Sequence, residues 1–334
     1  MKQLLKKILR TIFFPYKWFK RNNEKIIKEI HDLSDKNEYL FWLSQKQSNE
    51  SIIDTKKRVF LNMPKAEGAI RQIQLGTSLI LKMIKNICEE NDIHFFFESG
   101  TLLGAVRHKG FIPWDDDADI GMLREDFIKF ENVVKNYPNL EFKKGYSKCC
   151  FQLNKVYLKD APAFFVDIFI WDYVDAQPEN LDERINKLVS SSKNCETEIR
   201  KILQKNKIEL FYDKLVIPPQ DVLDKINAVY MKYEKSMEFY GKGKYVCKSF
   251  TTYFGFVNNT KFFPVEDFLP IKKDMVEFEG ETYPCFSGYD KWLKRLYGNY
   301  WSLPRTIFAG HLLEHPELEK STLILNELEN NLKN

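Results

Sequence analysis

"ESGTLLGAVRHKGFIPWDDDADIGM", residues 98–122, runs from a strand end through a small-residue turn and a helix start to four aspartates in five positions, Asp115, Asp116, Asp117 and Asp119. Carboxylates at that spacing repel one another, and burying an unpaired one costs several kcal/mol or shifts its pKa until it is neutral. The stretch therefore implies a positive partner. The apolar run "IHFFF" (93–97) reads as a short buried strand before the turn Ser99-Gly100-Thr101, and "LLGAVR" as the helix that follows. "DDDADIGM" reads as a second strand, because Ala118 and Ile120 alternate with Asp117 and Asp119.

On such a strand residues two apart share a face, so Asp117 and Asp119 project together, Asp115 shares their parity and Asp116 points the other way, as a structural or solvent-facing acid. Paired carboxylates make a clamp for a divalent cation, and oxygen-only ligation suits Mg²⁺ or Mn²⁺ held together with substrate phosphates. Asp167, alone in "APAFFVDIFIWDYV" (161–174), is costly as an isolated charge and reasonable if a neighbouring strand sets it beside the same metal. The helix opening at Ser99, Gly100 and Thr101 offers backbone N–H groups and a positive dipole end to a phosphate. Arg107, His108 and Lys109 suit contact with phosphate or donor, a solvated basic turn being the plain alternative. Lys155, in "FQLNKVYL", is a candidate strand cation facing the substrate.

Outward from this centre, apolar positions recur at three or four residues from Ala66 to Asn91, which predicts an amphipathic helix. "REDFIKFENVVKNY" (124–137) predicts another, and residues 140–158 a hairpin turning near Lys144-Gly145. Residues 179–240 turn helical and charged, a helical insertion or subdomain. Short strands are expected in "YVCKSFTTYFGFV" (245–257) and "DMVEFEGETYP" (274–284), then a closing helix in "YDKWLKRLYGNY" (289–300). The fold class is α+β, a mixed sheet carrying the acids.

With 334 residues and 44% hydrophobic content the chain can build a sizeable core, which excludes wholesale disorder. Residues 1–23 hold Lys2, Lys6, Lys7, Arg10, Lys17, Lys20 and Arg21 and no acid; the remainder carries 44 basic against 47 acidic residues, unlike a general nucleic-acid binder. In "MKQLLKKILRTIFFPYKWFK" apolar side chains collect on one helical side and cations on the other. The segment is too short and too charged to span a bilayer, and cations interrupt any signal-peptide core. It is expected to lie on an anionic membrane surface, with docking on the protein body or a partner as the alternative. Residues 24–65 read as a helical linker and 317–334 as a tail. The six cysteines form no CxxC pair and read as reduced core thiols, which suits a cytoplasmic setting.

A small-residue turn, a downstream Asp-x-Asp and a later strand Asp form the layout of the nucleotidyltransferase superfamily. Within it, "SGTLLGAVRHKGFIPWDDDADIGM" resembles the signature of the LicD family, whose relatives include fukutin and fukutin-related protein. "VDIFIWD" resembles the family's third-acid strand, "FEGETYPCFSGYDKWLKRLYGNYWSLP" its carboxy-terminal segment, and His311 falls where a histidine often follows. The resemblance covers roughly residues 70–316, so that 66–316 is the expected catalytic domain, a nucleotidyltransferase-like mixed sheet flanked by helices. It implies Mg²⁺-dependent transfer of phosphocholine from CDP-choline, or ribitol phosphate from CDP-ribitol, to a glycan or its lipid-linked precursor at the inner face of the membrane, releasing CMP. Asp115, Asp117, Asp119 and Asp167 would then be the metal acids, and Ser99, Gly100, Thr101, Arg107, His108, Lys155 and His311 would meet the donor. A choline head needs an aromatic enclosure; Trp114, Tyr253 and Phe254, with Phe256 and Trp301, are candidates. Glycerol or ethanolamine phosphate, nucleotidyl transfer, and a non-catalytic membrane-associated module are the alternatives.

Overall fold

The computed structural model describes residues 2–147, 152–211, 215–236, 243–249, 262–271, 274–304 and 315–333, without the side chains of 2–22, 24, 329 and 331–333. The chain divides into two compact units, residues 1–62 with 301–305 and residues 63–300 with 306–334.

In the first unit α1 (Lys2–Gln45) runs unbroken past residue 23, into the stretch expected as linker. No glycine or proline interrupts residues 16–45, so nothing in the local sequence ends the helix earlier. Ser51 then caps α2 (Ile52–Leu61), its hydroxyl accepting from the Asp54 N–H at 3.2 Å. The two helices close on Trp42, whose ring lies 5.5 Å from Phe60 and whose Nε1 donates to Glu38. The Trp301 ring also lies near Phe60, at 6.2 Å.

The second unit begins with α3 (Gly68–Glu90), β1 (Phe96–Phe97), α4 (Ser99–His108), β2 (Asp119–Leu123) and α5 (Arg124–Val134). There follow β3 (Leu140–Tyr146), β4 (Gln152–Leu158), β5 (Ala161–Val174), α6 (Leu181–Lys205) and α7 (Gln220–Ser236). β6 (Tyr245–Lys248), β7 (Phe263–Pro264), α8 (Val265–Phe268), β8 (Asp274–Phe278), β9 (Glu281–Cys285), α9 (Tyr289–Tyr297) and α10 (Leu318–Lys333) complete it. The main sheet is ordered β1-β2-β5-β4-β3, with β6 on β5 and β7 on β6. β2 and β5 are parallel while the other pairs are antiparallel, so the α+β mixed-sheet class holds.

β5 is the spine. Its apolar run from Ala163 to Trp171 is buried, with α3 and α10 packed against the strand. Phe96 of β1 meets Phe268, Phe286 and Trp171 at 4.9, 5.5 and 5.7 Å, edge to face. The insertion is a helical hairpin whose Leu188, Cys195, Ile199 and Leu203 join Val222, Ile226 and Tyr230 around Val174 and Cys247. Within residues 317–334, expected as a tail, Leu318–Lys333 form α10, which buries Ser321 and Leu325.

Three local expectations change. The hairpin turn lies beyond Tyr146, because Lys144 and Gly145 stay inside β3, paired with Asn154 and Leu153. β1 keeps only two residues of "IHFFF". β2 begins at Asp119, so Asp115, Asp116 and Asp117 lie in the loop before it and strand parity does not orient them. Of the segment 245–257, where short strands are expected, β6 supplies the start, and residues 250–261 are outside the described residues. Cys88, Cys195, Cys247 and Cys285 are buried thiols, and Cys149 and Cys150 are outside the described residues.

Gly104 in α4 is where the loop carrying the acids touches the helix. A Cβ there would stand 2.5 Å from the Gly110 carbonyl oxygen and 3.3 Å from the Ile112 nitrogen, both backbone atoms that cannot rotate aside. Gly104→Ala is expected to destabilise by about 1–3 kcal/mol through overpacking, against a helix-propensity gain of about 1 kcal/mol. Urea unfolding checks this, and an unchanged midpoint would mean that the loop yields without cost.

Candidate active site

The site forms where β1 hands the chain to α4. The Glu98 N–H donates to the Asp119 carbonyl at 3.0 Å, and Glu98 is the extended residue before the helix. Ser99 follows with φ +45°, a left-handed conformation that costs a non-glycine residue roughly 1–2 kcal/mol. Thr101, buried, accepts the Asp119 N–H on its hydroxyl at 2.8 Å. It thereby ties β2 to the first turn of α4. Gly100 faces the acids: a Cβ there would lie 2.6 Å from Asp115 Oδ2. The turn thus brings Ser99 and Gly100 beside Asp115, whose own backbone is held by its N–H to Ile112 and by Gln74 Nε2 on its carbonyl, both at 2.9 Å.

Parallel pairing of β2 with β5 sets Asp119 directly opposite Asp167, and β4 sets Lys155 directly opposite Asp167 on the other side. Residues opposed in register share a face, so the row Lys155, Asp167, Asp119 crosses three strands. Asp117, from the loop, completes the group: one carboxylate oxygen each of Asp117, Asp119 and Asp167 lies within 4.8 Å of the others. Asp115, Asp116 and Asp117 make a second such group. Burial, then the charges of Asp117 and Asp167, push Asp119 well above the usual carboxylate range, partly offset by Lys248. An all-carboxylate trio this close, with Asp117 and Asp119 only partly buried, fits a hard divalent cation.

Two lysines flank the trio. Lys155 Nζ is 3.1 Å from Asp167 Oδ2, buried, and 3.7 Å from the centre of the Phe165 ring. Lys248 Nζ lies 4.5 Å from the centre of the Phe169 ring and 2.8 Å from Oε2 of Glu98, a fully buried carboxylate that also accepts from the Ser99 hydroxyl. Phe165 and Phe169 are the residues two before and two after Asp167 on its strand, so each carries an ammonium beside the acid.

Asp116 is buried rather than solvent-facing, with its carboxylate 4.0 Å from His315 Nε2. His315 stacks on Phe165 at 5.0 Å, and its Nδ1 bonds the Ala163 carbonyl at 2.6 Å; burial lowers its pKa against the pull of that carbonyl and of Asp116. Arg107 is buried, not a solvated turn: it donates to the Tyr300 carbonyl at 3.0 Å, and burial lowers its pKa to about 10, countered by Tyr297 and Asp115. His108 meets Trp114 edge-on at 6.5 Å. Lys109 pairs with Glu277 at 2.9 Å. Tyr297 is 43% exposed as a residue, yet burial around its phenol and the charges of Asp119, Glu98, Asp115 and Asp117 push its pKa up.

Of the expected site residues, Asp115, Asp117, Asp119, Asp167, Ser99, Gly100, Thr101 and Lys155 come together. His311, Tyr253, Phe254 and Phe256 are outside the described residues. The sequence reading missed Glu98, Lys248, His315 and Tyr297. Glu98 adjoins the turn and Tyr297 lies in the quoted carboxy-terminal segment, which are weak signals; Lys248 and His315 give none, since only strand pairing and packing bring them near.

Residues 92–179 match the model of the LicD/FKTN/FKRP nucleotidyltransferase domain. The lipopolysaccharide cholinephosphotransferase LicD of Haemophilus influenzae is 28% identical over 259 residues, 70% of this chain and 92% of that protein. Shorter matches are 42% identical over 69 residues to an uncharacterized Rickettsia typhi protein, covering 21% of this chain and 22% of that one. Human ribitol 5-phosphate transferase FKRP is 40% identical over 52 residues, 16% of this chain and 10% of FKRP. The acid trio, the turn at Ser99 and the strand bearing Asp167 all fall inside residues 92–179, the segment that matches the LicD/FKTN/FKRP nucleotidyltransferase domain.

Proposed function

We propose that this protein transfers an alcohol phosphate, phosphocholine in the first instance, from a CDP-alcohol to a hydroxyl of a cell-surface glycan or its lipid-linked precursor. The observation that carries the reading is the carboxylate trio Asp117, Asp119 and Asp167 within 4.8 Å, beside the first turn of α4. The likeness to a lipopolysaccharide cholinephosphotransferase over 92% of that protein supports the group transferred and the acceptor class.

Asp117, Asp119 and Asp167 would hold Mg²⁺ or Mn²⁺, with Asp115 adjoining. A divalent cation there neutralises charge on a diphosphate and orients it. The N–H groups opening α4 at Ser99 and Gly100 meet a phosphate oxygen with the positive end of the helix dipole. Lys155 holds the Asp167 carboxylate in one position. The acceptor oxygen forms a bond to the phosphorus bearing the alcohol, the bridging P–O bond to CMP breaks with its electron pair leaving on CMP, and the hydroxyl proton passes to a carboxylate of the site. Trp114, part-buried beside His108, is one described aromatic that could meet an onium head.

A thermal-shift titration with CDP-choline, CDP-ribitol, CDP-glycerol, CDP-ethanolamine and ATP, each with and without Mg²⁺, tests the donor class. A ligand at a hundred times its dissociation constant adds about 2.7 kcal/mol. A Mg²⁺-dependent shift with CDP-choline, followed by CMP release when acceptor glycan is added, is the expected outcome. A shift with ATP alone, with pyrophosphate released, would replace the reading by nucleotidyl transfer.

We further infer that residues 1–23, with seven cations and no acid, lie on the anionic inner face of the cell membrane. No helix among the described residues is long and apolar enough to cross a membrane. Deleting residues 1–20 is expected to abolish co-sedimentation with phosphatidylglycerol vesicles; a truncated protein that still sediments with them refutes the membrane role.

A further inference from the structure

We propose that α1 is one strand of a parallel two-stranded coiled coil, so that the protein is a homodimer joined through this helix. Ile26, Ile30, Leu33 and Leu40 are 52, 58, 60 and 61% exposed, although Trp42 of the same helix is buried against α2. Leu33 lies nine residues before Trp42, two and a half turns, and therefore on the opposite side of the helix. α2 packs on one side of α1 and leaves this stripe outward.

The spacing says what covers it. Ile26, Leu33 and Leu40 are seven residues apart. A strict seven-residue repeat drifts by about 20° per heptad on a straight helix, which a partner helix follows by supercoiling and a flat lipid surface does not. With these as d positions, the a positions from residue 23 to 37 are Asn23, Ile30 and Asn37. Ile30 at a beside Leu33 and Leu40 at d is the pairing that favours two strands, and the polar Asn23 and Asn37 at a select the register at a cost in stability. In a parallel pair Asn37 meets its own copy, whose amide offers both the donor and the acceptor that each side chain needs. Charge points the same way. Residues 24–45 carry Glu24, Glu29, Asp32, Asp35 and Glu38 against Lys25, Lys28 and Lys36, an excess of acid that an anionic lipid surface does not attract.

The test is sedimentation velocity of the full chain beside the double variant Ile30→Glu, Leu33→Glu. Both positions are exposed, so the variant keeps its fold, checked by an unchanged thermal melt of the catalytic unit. The wild type is expected to sediment as a dimer and the variant as a monomer. Leu40→Cys, oxidised mildly, is expected to give a covalent dimer in excess over wild type, because a parallel register sets residue 40 against its own copy. A monomeric wild type overturns the proposal, whether or not the stripe binds phosphatidylglycerol vesicles; vesicle binding lost in the double variant would then assign the stripe to lipid. A dimer that survives both glutamates, or one that Leu40→Cys does not link, overturns it equally.

Discussion

Asp119→Asn is expected to raise the melting temperature of the metal-free protein while abolishing turnover. In the folded state Asp119 is desolvated and stands in the field of Asp117 and Asp167, so its ionised form is held at a cost. The unfolded chain carries no such crowding. A carboxylate whose folded pKa is raised leaves stability intact below its unfolded pKa and removes it as pH climbs through the folded value. Asparagine takes away the charge and keeps the shape, so the metal-free variant gains stability at neutral pH. The same change removes one of the donors proposed for the cation, so the stabilisation by Mg²⁺ is expected to shrink or vanish. If several kcal/mol of transition-state stabilisation go with it, the rate falls by roughly three orders of magnitude at about 1.4 kcal/mol per tenfold. Calorimetry with and without Mg²⁺, set beside turnover, reads all three. A variant less stable than wild type without metal would mean that the trio is not under mutual repulsion.

Lys155→Met is expected to act with the opposite sign. Lys155 and Asp167 are a buried ion pair at 3.1 Å, side chains 4% and 10% exposed. Removing one partner of such a pair leaves an uncompensated charge in a desolvated place, which costs roughly 3–5 kcal/mol. The methionine keeps the packing against Phe165, so the loss is electrostatic. In the metal-free protein Asp167 then has one neighbouring cation fewer, and added Mg²⁺ is expected to restore a larger share of stability than it confers on wild type. Denaturant unfolding with and without Mg²⁺ measures both terms. Equal losses in the two conditions would separate Lys155 from the cation site and leave it a packing residue.

The two variants probe opposite sides of one arrangement, and the sequence foretold them unequally. Asp119 announces itself: four acids in five positions cannot be accommodated without a positive partner, and a Ser-Gly-Thr turn twenty residues earlier supplies a phosphate-binding helix start. Strand parity predicts that Asp117 and Asp119 project together, yet β2 starts at Asp119 and Asp117 arrives from a loop. Adjacency in the chain kept the two close whichever conformation joined them. Asp115 shows where parity fails, since it turns toward Gly100 and lies in the group with Asp116 and Asp117.

By itself the sequence determined most of the elements and where the acids concentrate. Periodicity marked α3, α5, the helical insertion and the long apolar strand β5, because burial on one face writes its repeat into consecutive residues. It determined that residues 98–122 form the acidic centre, and the family they resemble. Tertiary structure alone decided what stands across from each acid. That Asp167 faces Asp119, that Lys155 rather than solvent neutralises it, that Glu98 and Lys248 pair beside the turn and that His315 backs Asp116 all depend on which strands adjoin and in which register. Register is a property of two segments far apart in the chain, and shifting it by one residue turns every side chain to the other face without changing the pattern of either strand.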